Sequence, residues 1–166
     1  MIVITGGAGM IGSIIAWHLN TKHGRDDLVI VDHIMHDNQW QNLVHRSYLE
    51  YLDKYQLFDW LENNEDASEE IRAVIHMGAI SATTETDFNK LVESNIQFSQ
   101  DLWTWCVINK VPFFYASSAA TYGGGEQDYD DASIANLRPL NAYGYSKHFF
   151  DPVSYTHLRA HETKAN

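Results

Sequence analysis

The chain has 166 residues, a formal net charge of −11 and a composition 45% hydrophobic and 20% charged, which is that of one folded domain and excludes a disordered chain. The acidity excludes a general nucleic-acid binder, which needs a basic face, so an anionic ligand would be held by local backbone N–H groups and helix N-termini. No run of about 18 apolar residues predicts a membrane span; "MIVITGGAGMIG" lacks the basic start and cleavage site of a signal peptide; and the single cysteine, Cys106, excludes an internal disulfide and suits a reducing cytoplasm.

Ile2–Thr5 is a short apolar run closed by glycines and reads as the first strand. A helix is expected from about Met10 to Asn20, with Ile11, Ile14, Ile15 and Leu19 at helical spacing and facing a core. "HGRDD" is a turn, and Leu28–Asp32 is a buried strand with an acid at its end. Residues 33–47 are polar and irregular. Leu49–Leu52 reads as a short third strand, Tyr55–Asn63 as a helix, and "NNEDASEE" as a solvated charged loop. Ala73–Met77 is the fourth strand. Asp87–Asn109 reads as one helix, burying Leu91, Ile96, Leu102, Trp105 and Val107. Val111–Ala116 is the fifth strand, with Pro112 tolerated only near its start. A glycine-rich turn, a polar loop and a helix opening near Asn141 follow. This alternation predicts right-handed βαβ units in an α/β fold: a Rossmann-type doubly wound parallel sheet with strand order 3-2-1-4-5.

"TGGAGMIG" sets Gly6, Gly9 and Gly12 between the first strand and the first helix. Gly6 permits a tight turn, Gly9 lets backbone approach a pyrophosphate, and Gly12 allows close helix packing. The helix N-terminus then offers unpaired N–H groups to the phosphates. Asp32 follows about twenty residues after Gly12, where a carboxylate accepts a ribose 2′-OH and favours NAD. His33 and Lys54 are candidate cations for a 2′-phosphate, so NADP stays open.

"YASSAATYG" puts Ser117 and Ser118 at the end of the fifth strand, the end at which open parallel sheets bind ligands. "YGYSK" puts Tyr143 and Lys147 one helical turn apart on one face. A cation beside a phenol favours its deprotonation. Tyr143 is therefore a candidate proton acceptor from a substrate hydroxyl, Ser118 a hydrogen-bond partner of that hydroxyl, and Lys147 a neighbour that also reaches the nicotinamide ribose. Tyr145 faces elsewhere. Among nine histidines, His33 and His36 lie three apart and His157 and His161 four apart, without the companions of a zinc motif, so no metal is expected.

The stretches "ITGGAGMIGS", "HMGAISATTETD", "YASSAATYGG" and "PLNAYGYSKHFFD" together resemble the extended short-chain dehydrogenase/reductase family, from Met1 to about Asp151. The "TTE" after the fourth strand and Tyr145 between the catalytic pair are the more specific parts. The resemblance implies a cytoplasmic, homo-oligomeric enzyme with a small-molecule nucleotide-sugar substrate. It implies NADP-dependent epimerisation at C6 of an ADP-linked heptose, used in building the lipopolysaccharide inner core. It implies cofactor contacts from Met10, Ile11, Asp32, His33, Lys54, Met77, Gly78, Ala79, Ile80, Ser81, Lys147 and either Ser94 or Asn95. It favours NADP over NAD in spite of Asp32. Met10 replaces the family's phenylalanine, and Gln39 stands where a cofactor-contacting lysine is expected. A second catalytic base is expected beyond Lys147.

Residues 1–151 thus read as an incomplete dinucleotide-binding domain, truncated before the last strands and the substrate domain, inactive alone and with its fifth strand as an exposed edge. Residues 152–166 read as a non-native tail. Pro152 costs about 3 kcal/mol inside a helix, and "VSYTHLRAHETKAN" resembles translated adapter read-through. A UDP-sugar 4-epimerase is the nearest rival function; Ala119 and Ala120 disfavour a dehydratase. A non-catalytic dinucleotide sensor has no need of Ser118, Tyr143 and Lys147.

Overall fold

Two apolar runs set the sheet. The computed structural model describes residues 1–34, 38–64, 66–126, 129 and 131–162, with backbone alone at 131–133 and 154–162. β1 (Ile2–Thr5) is buried throughout, and β2 (Leu28–Asp32) is buried up to its final acid. Such runs suit central parallel strands covered on both faces. β3 (Glu50–Asp53), β4 (Ala73–His76) and β5 (Phe113–Tyr115) complete a five-stranded parallel sheet in the order β3-β2-β1-β4-β5, as expected. β5 is shorter than its apolar run because Pro112 has no N–H to donate; the Pro112 carbonyl accepts Val74 N–H at 2.9 Å.

The chain divides into two units. The first comprises Met1–Ala79 and Leu102–Ala116, and the second Ile80–Asp101 and Ser117–Asn166. The first unit holds the sheet. Its core joins Ile2, Ile4, Leu28 and Ile30 to Ala16 of helix α1 (Met10–His23), with Ile15 and Leu19 partly buried against them. Ile11 and Ile14 do not face the core: both are more than half exposed. The helix instead buries Gly12, Ser13 and Ala16. It lies too close for larger residues, since a Cβ on Gly12 would be 2.2 Å from the Gly6 carbonyl oxygen. Gly24 ends α1 with a left-handed φ of 58°.

Further along, the charged loop contains a short helix, α3 (Ala67–Glu70), which follows α2 (Leu57–Asn63). Burial of Ala67 and Ile71 holds it, and the Asp66 carbonyl caps it by accepting from Glu69 and Glu70 N–H. Cys106 is buried, which pushes its thiol up to about 12 and leaves it inert.

The expected single helix over 87–109 is three pieces: α4 (Phe88–Leu91), a π-helical turn (Val92–Gln97) and α5 (Phe98–Ile108). The Asp87 carboxylate caps α4 by accepting Asn89 and Lys90 N–H. Leu91, Ile96 and Leu102 are buried as expected, whereas Trp105 and Val107 are only half-buried.

α6 (Ala142–Glu162) does not stop at Pro152 but runs on through it. The turns before the proline are held by buried Ser146, Lys147, Phe150 and Asp151, which keep the helix in register up to the lost N–H. No described helix is long and apolar enough to cross a membrane.

Replacing Gly12 with Ala drives a methyl into the Gly6 carbonyl. The variant should lose about 1–3 kcal/mol of stability, read from urea unfolding.

Candidate active site

In the first unit the glycine loop turns through close backbone contacts. Gly6 takes a φ of +64°, and a Cβ there would lie 2.6 Å from Gly78 N. The loops after β1 and β4 therefore meet backbone to backbone. Thr5 supports the junction from below: its hydroxyl shares a 2.6 Å hydrogen bond with buried His76 Nδ1 and accepts Gly78 N–H at 3.2 Å. Gly9 N–H donates to Gly6 O at 3.0 Å and closes the turn. Gly9 is the N-cap of α1 and supplies no side-chain cap. The first amides of α1 are thus left without a side-chain partner, and Met10 and Ile11 are exposed. Donors of this kind at a helix N-terminus fit a pyrophosphate.

The Asp32 carboxylate holds the same loop. Its Oδ2 accepts Ala8 N–H at 2.8 Å and its Oδ1 accepts His33 N–H at 2.8 Å. A carboxylate has about four lone-pair sites, so room for a ribose hydroxyl remains. Asn42 grips the loop from the other side, donating to the Ala8 carbonyl at 2.8 Å. Asp32 pairs in register with Asp53, which brings His33 and Lys54 to neighbouring strand ends. His33 Nδ1 lies 2.7 Å from Asp53 Oδ2, and Lys54 Nζ sits 4.6 Å from the Tyr55 ring centre. Burial acts to raise the Asp53 carboxyl, but hydrogen bonds from His33 and the Tyr55 amide outweigh it and hold the group low.

In the second unit, α6 packs against the 3-10 turn Ala119–Tyr122 and the π turn. Ser118 caps the 3-10 turn, its hydroxyl accepting Ala120 N–H at 3.2 Å. Gly144 allows the close approach: a Cβ there would lie 2.7 Å from the Ala120 carbonyl oxygen. Tyr143 is half-buried. Lys147, one turn on, is only 6% exposed. Burial pushes its ammonium below the ordinary lysine value, and the Asp151 carboxylate opposes that shift. Tyr145 turns away, half exposed beside Phe88 and Phe149.

A model of the NAD dependent epimerase/dehydratase family matches residues 2–165. The chain belongs to that family. It is 48% identical over 159 residues to an ADP-L-glycero-D-manno-heptose-6-epimerase of Fusobacterium nucleatum, covering 93% of this chain and 47% of that protein. Among solved structures, the Helicobacter pylori ADP-L-glycero-D-manno-heptose-6-epimerase superposes with a TM-score of 0.79 at 27% identity, over 94% of this chain and 50% of its own. A UDP-glucose 4-epimerase from Brucella ovis in complex with NAD gives a TM-score of 0.68 at 25% identity, over 92% of this chain and 46% of its own. The chain spans about half the length of the curated relatives it matches.

Within this family member, the expected contact residues separate into two groups. Gly6, Gly9, Gly12, Asp32, Met77 and Gly78 gather at the glycine loop. Ala79 follows Gly78 and is half-buried. Ile80 and Asn95 meet in the second unit, where Ser81 is exposed and Ser94 half-buried. Asn95 is 1% exposed, and its amide is engaged by protein. Its Oδ1 accepts Ile80 N–H at 2.8 Å, while Nδ2 donates to Ile80 O at 3.0 Å and to Ser146 Oγ at 2.9 Å. Ser146 passes the connection to the Tyr143 carbonyl at 2.7 Å. Gln39 lies half-buried in the 3-10 turn Asn38–Leu43. His36, and the side chains of His157 and His161, lie outside the described residues.

The sequence reading did not mark His76, Asn42 or the Ser146 link. His76 had a signal, as one polar residue inside the apolar run "AVIHM". Asn42 had none, because its contact spans 34 residues of chain.

Asn95→Ala removes three hydrogen bonds and leaves a part-buried Ile80 amide without its side-chain partner. Thermal or urea unfolding should show a loss of about 2–4 kcal/mol.

Proposed function

We propose that the chain is the dinucleotide-binding part of an ADP-L-glycero-D-manno-heptose-6-epimerase. The observation that carries the catalytic reading is a buried lysine one turn from a half-buried tyrosine on α6, beside the turn capped by Ser118. Lysine is rarely buried without a task for its charge. The 48% identity to a heptose epimerase supports the substrate class.

In the first unit the glycine loop, Asp32, His33 and Lys54 would hold a nicotinamide dinucleotide. When bound, that cofactor takes up hydride from the substrate carbon and returns it to the opposite face. Tyr143 takes the proton of the C6 hydroxyl as the carbon loses its hydride, leaving a ketone. The Ser118 hydroxyl hydrogen-bonds the same oxygen and keeps it in line with the phenol. The Lys147 ammonium, one turn along α6, supplies positive charge on the same helix face. Return of a proton to the C6 oxygen would complete the epimer, with no net redox change.

NADP is the proposed form. Asp32 alone would repel a 2′-phosphate, but His33 and Lys54 stand at the adjoining strand ends. Lys54→Ala should weaken NADP binding about tenfold and leave NAD binding within about twofold, measured by fluorescence titration. Equal losses for both cofactors would remove Lys54 from that role.

In the full-length enzyme, Tyr143→Phe should lower kcat by about 10²- to 10⁴-fold, with cofactor affinity within about twofold. NMR of the product at C6 of ADP-glycero-manno-heptose reads the reaction. Turnover of UDP-glucose at C4, with none of the heptose, would assign the chain to the 4-epimerases instead.

A further inference from the structure

Two adjacent serines end the fifth-strand stretch, and they do different things. Ser118 caps its own turn. Ser117 reaches across the second unit and donates its hydroxyl to Asp151 Oδ2 at 2.7 Å, over 34 residues of sequence. Asp151 lies one turn beyond Lys147 on α6, and i, i+4 spacing sets both on one helix face. Each is only 6% exposed.

A buried lysine has two problems. Its ammonium is costly to desolvate without an opposite charge. Its long stem also has rotamer freedom to lose, worth about 1.5–2 kcal/mol on ordering. A fixed carboxylate one turn away answers both. It would not be fixed by the helix alone, since an aspartate side chain turns about its own bonds; the Ser117 hydroxyl holds it. The elements packed on α6 are the 3-10 turns Ala119–Tyr122 and Asp131–Asn136, the π turn and α4. Among the residues whose side chains are described, their titratable residues are Tyr122, Glu93 and Lys90, and α6 itself adds Tyr143, Tyr145 and His148. Among the described residues, Asp151 is the charge that acts on Lys147.

We propose that Asp151, anchored by Ser117, is a positioning residue that holds the buried Lys147 ammonium in place beside Tyr143. The catalytic part of this role rests on the epimerase reading above. The positioning part stands on the Ser117–Asp151–Lys147 arrangement by itself. Ser117 thereby acquires a task separate from that of Ser118, and the helix contributes three side chains at successive turns: Tyr143, Lys147 and Asp151.

The test follows Lys147 directly. In the chain labelled with carbon-13 at lysine Cε, the Lys147 signal is assigned by its loss in Lys147→Arg and titrated with pH. Asp151→Asn keeps the shape and an acceptor for Ser117 but removes the charge. It should move the Lys147 titration to lower pH, and Ser117→Ala should move it the same way by less. Asp151→Glu should restore it. In the full-length enzyme Asp151→Asn should lower kcat about tenfold with KM within about twofold. An unmoved Lys147 titration in a folded Asp151→Asn protein would overturn the proposal. So would a variant that loses stability but keeps kcat. If Asp151→Asn does not fold, Ser117→Ala and Asp151→Glu decide by the same titration. A full-length enzyme inactive on nucleotide sugars would defeat the functional reading, and the titration would still decide the positioning role.

Discussion

The first unit depends on a place where no Cβ fits. Gly6 turns through a left-handed φ and lies against Gly78, so that a methyl on either would meet backbone or Thr5 at 2.6–3.1 Å. Because both residues are glycine, the ends of β1 and β4 touch directly. Gly12 repeats the constraint one step on, bringing α1 against the loop. The exposure of Ile11 and Ile14 accompanies this: the fully buried positions of α1 are Gly12, Ser13 and Ala16, with Ile15 and Leu19 partly buried beside them. One steric condition thus shapes the loop, aims the helix N-terminus and decides which face of α1 is buried.

The second unit is held by side-chain hydrogen bonds. Asn95 occupies both main-chain groups of Ile80 and also reaches Ser146, and the π turn Val92–Gln97 carries it. A π turn rotates the residues after it relative to an α-helix, and such turns recur at functional sites. Here the rotation lets one helix serve a loop and a neighbouring helix with a single amide. Gly144 then admits the Ala120 carbonyl, and the Tyr143 carbonyl is tied to Ser146.

Much of this was legible in the chain because it depends on local pattern. The apolar runs Ile2–Thr5 and Leu28–Asp32 match strands to the residue, since central parallel strands need no alternation. The glycine spacing and Y-x-x-x-K are short-range geometry. What was not legible depends on distance in space. The inward stripe of α1 was half right: Ile15 and Leu19 pack on the core, but Ile11 and Ile14 do not, because close packing near the loop selected small residues that periodicity does not mark. The break of one long helix into α4, π turn and α5 follows from Asn95 and its remote partners. Pro152 breaks a helix by propensity, yet the buried turns before it carry α6 onward. Ser118 was given a role and Ser117 none, and only tertiary structure shows what Ser117 holds.

Asp32 shows how binding and architecture can share an atom. Its carboxylate was expected to recognise a ribose, and in the fold both oxygens already fasten main-chain amides, one of them inside the glycine loop. On the proposed reading, the residue that would meet the ribose is therefore also a rivet of the glycine loop. On that reading, exchanging it would also loosen the loop proposed to receive the phosphates, so a selectivity screen at this position would return weak binders for both cofactors before it returned switched ones. On the same reading, retuning is open at His33 and Lys54, which stand at the adjoining strand ends.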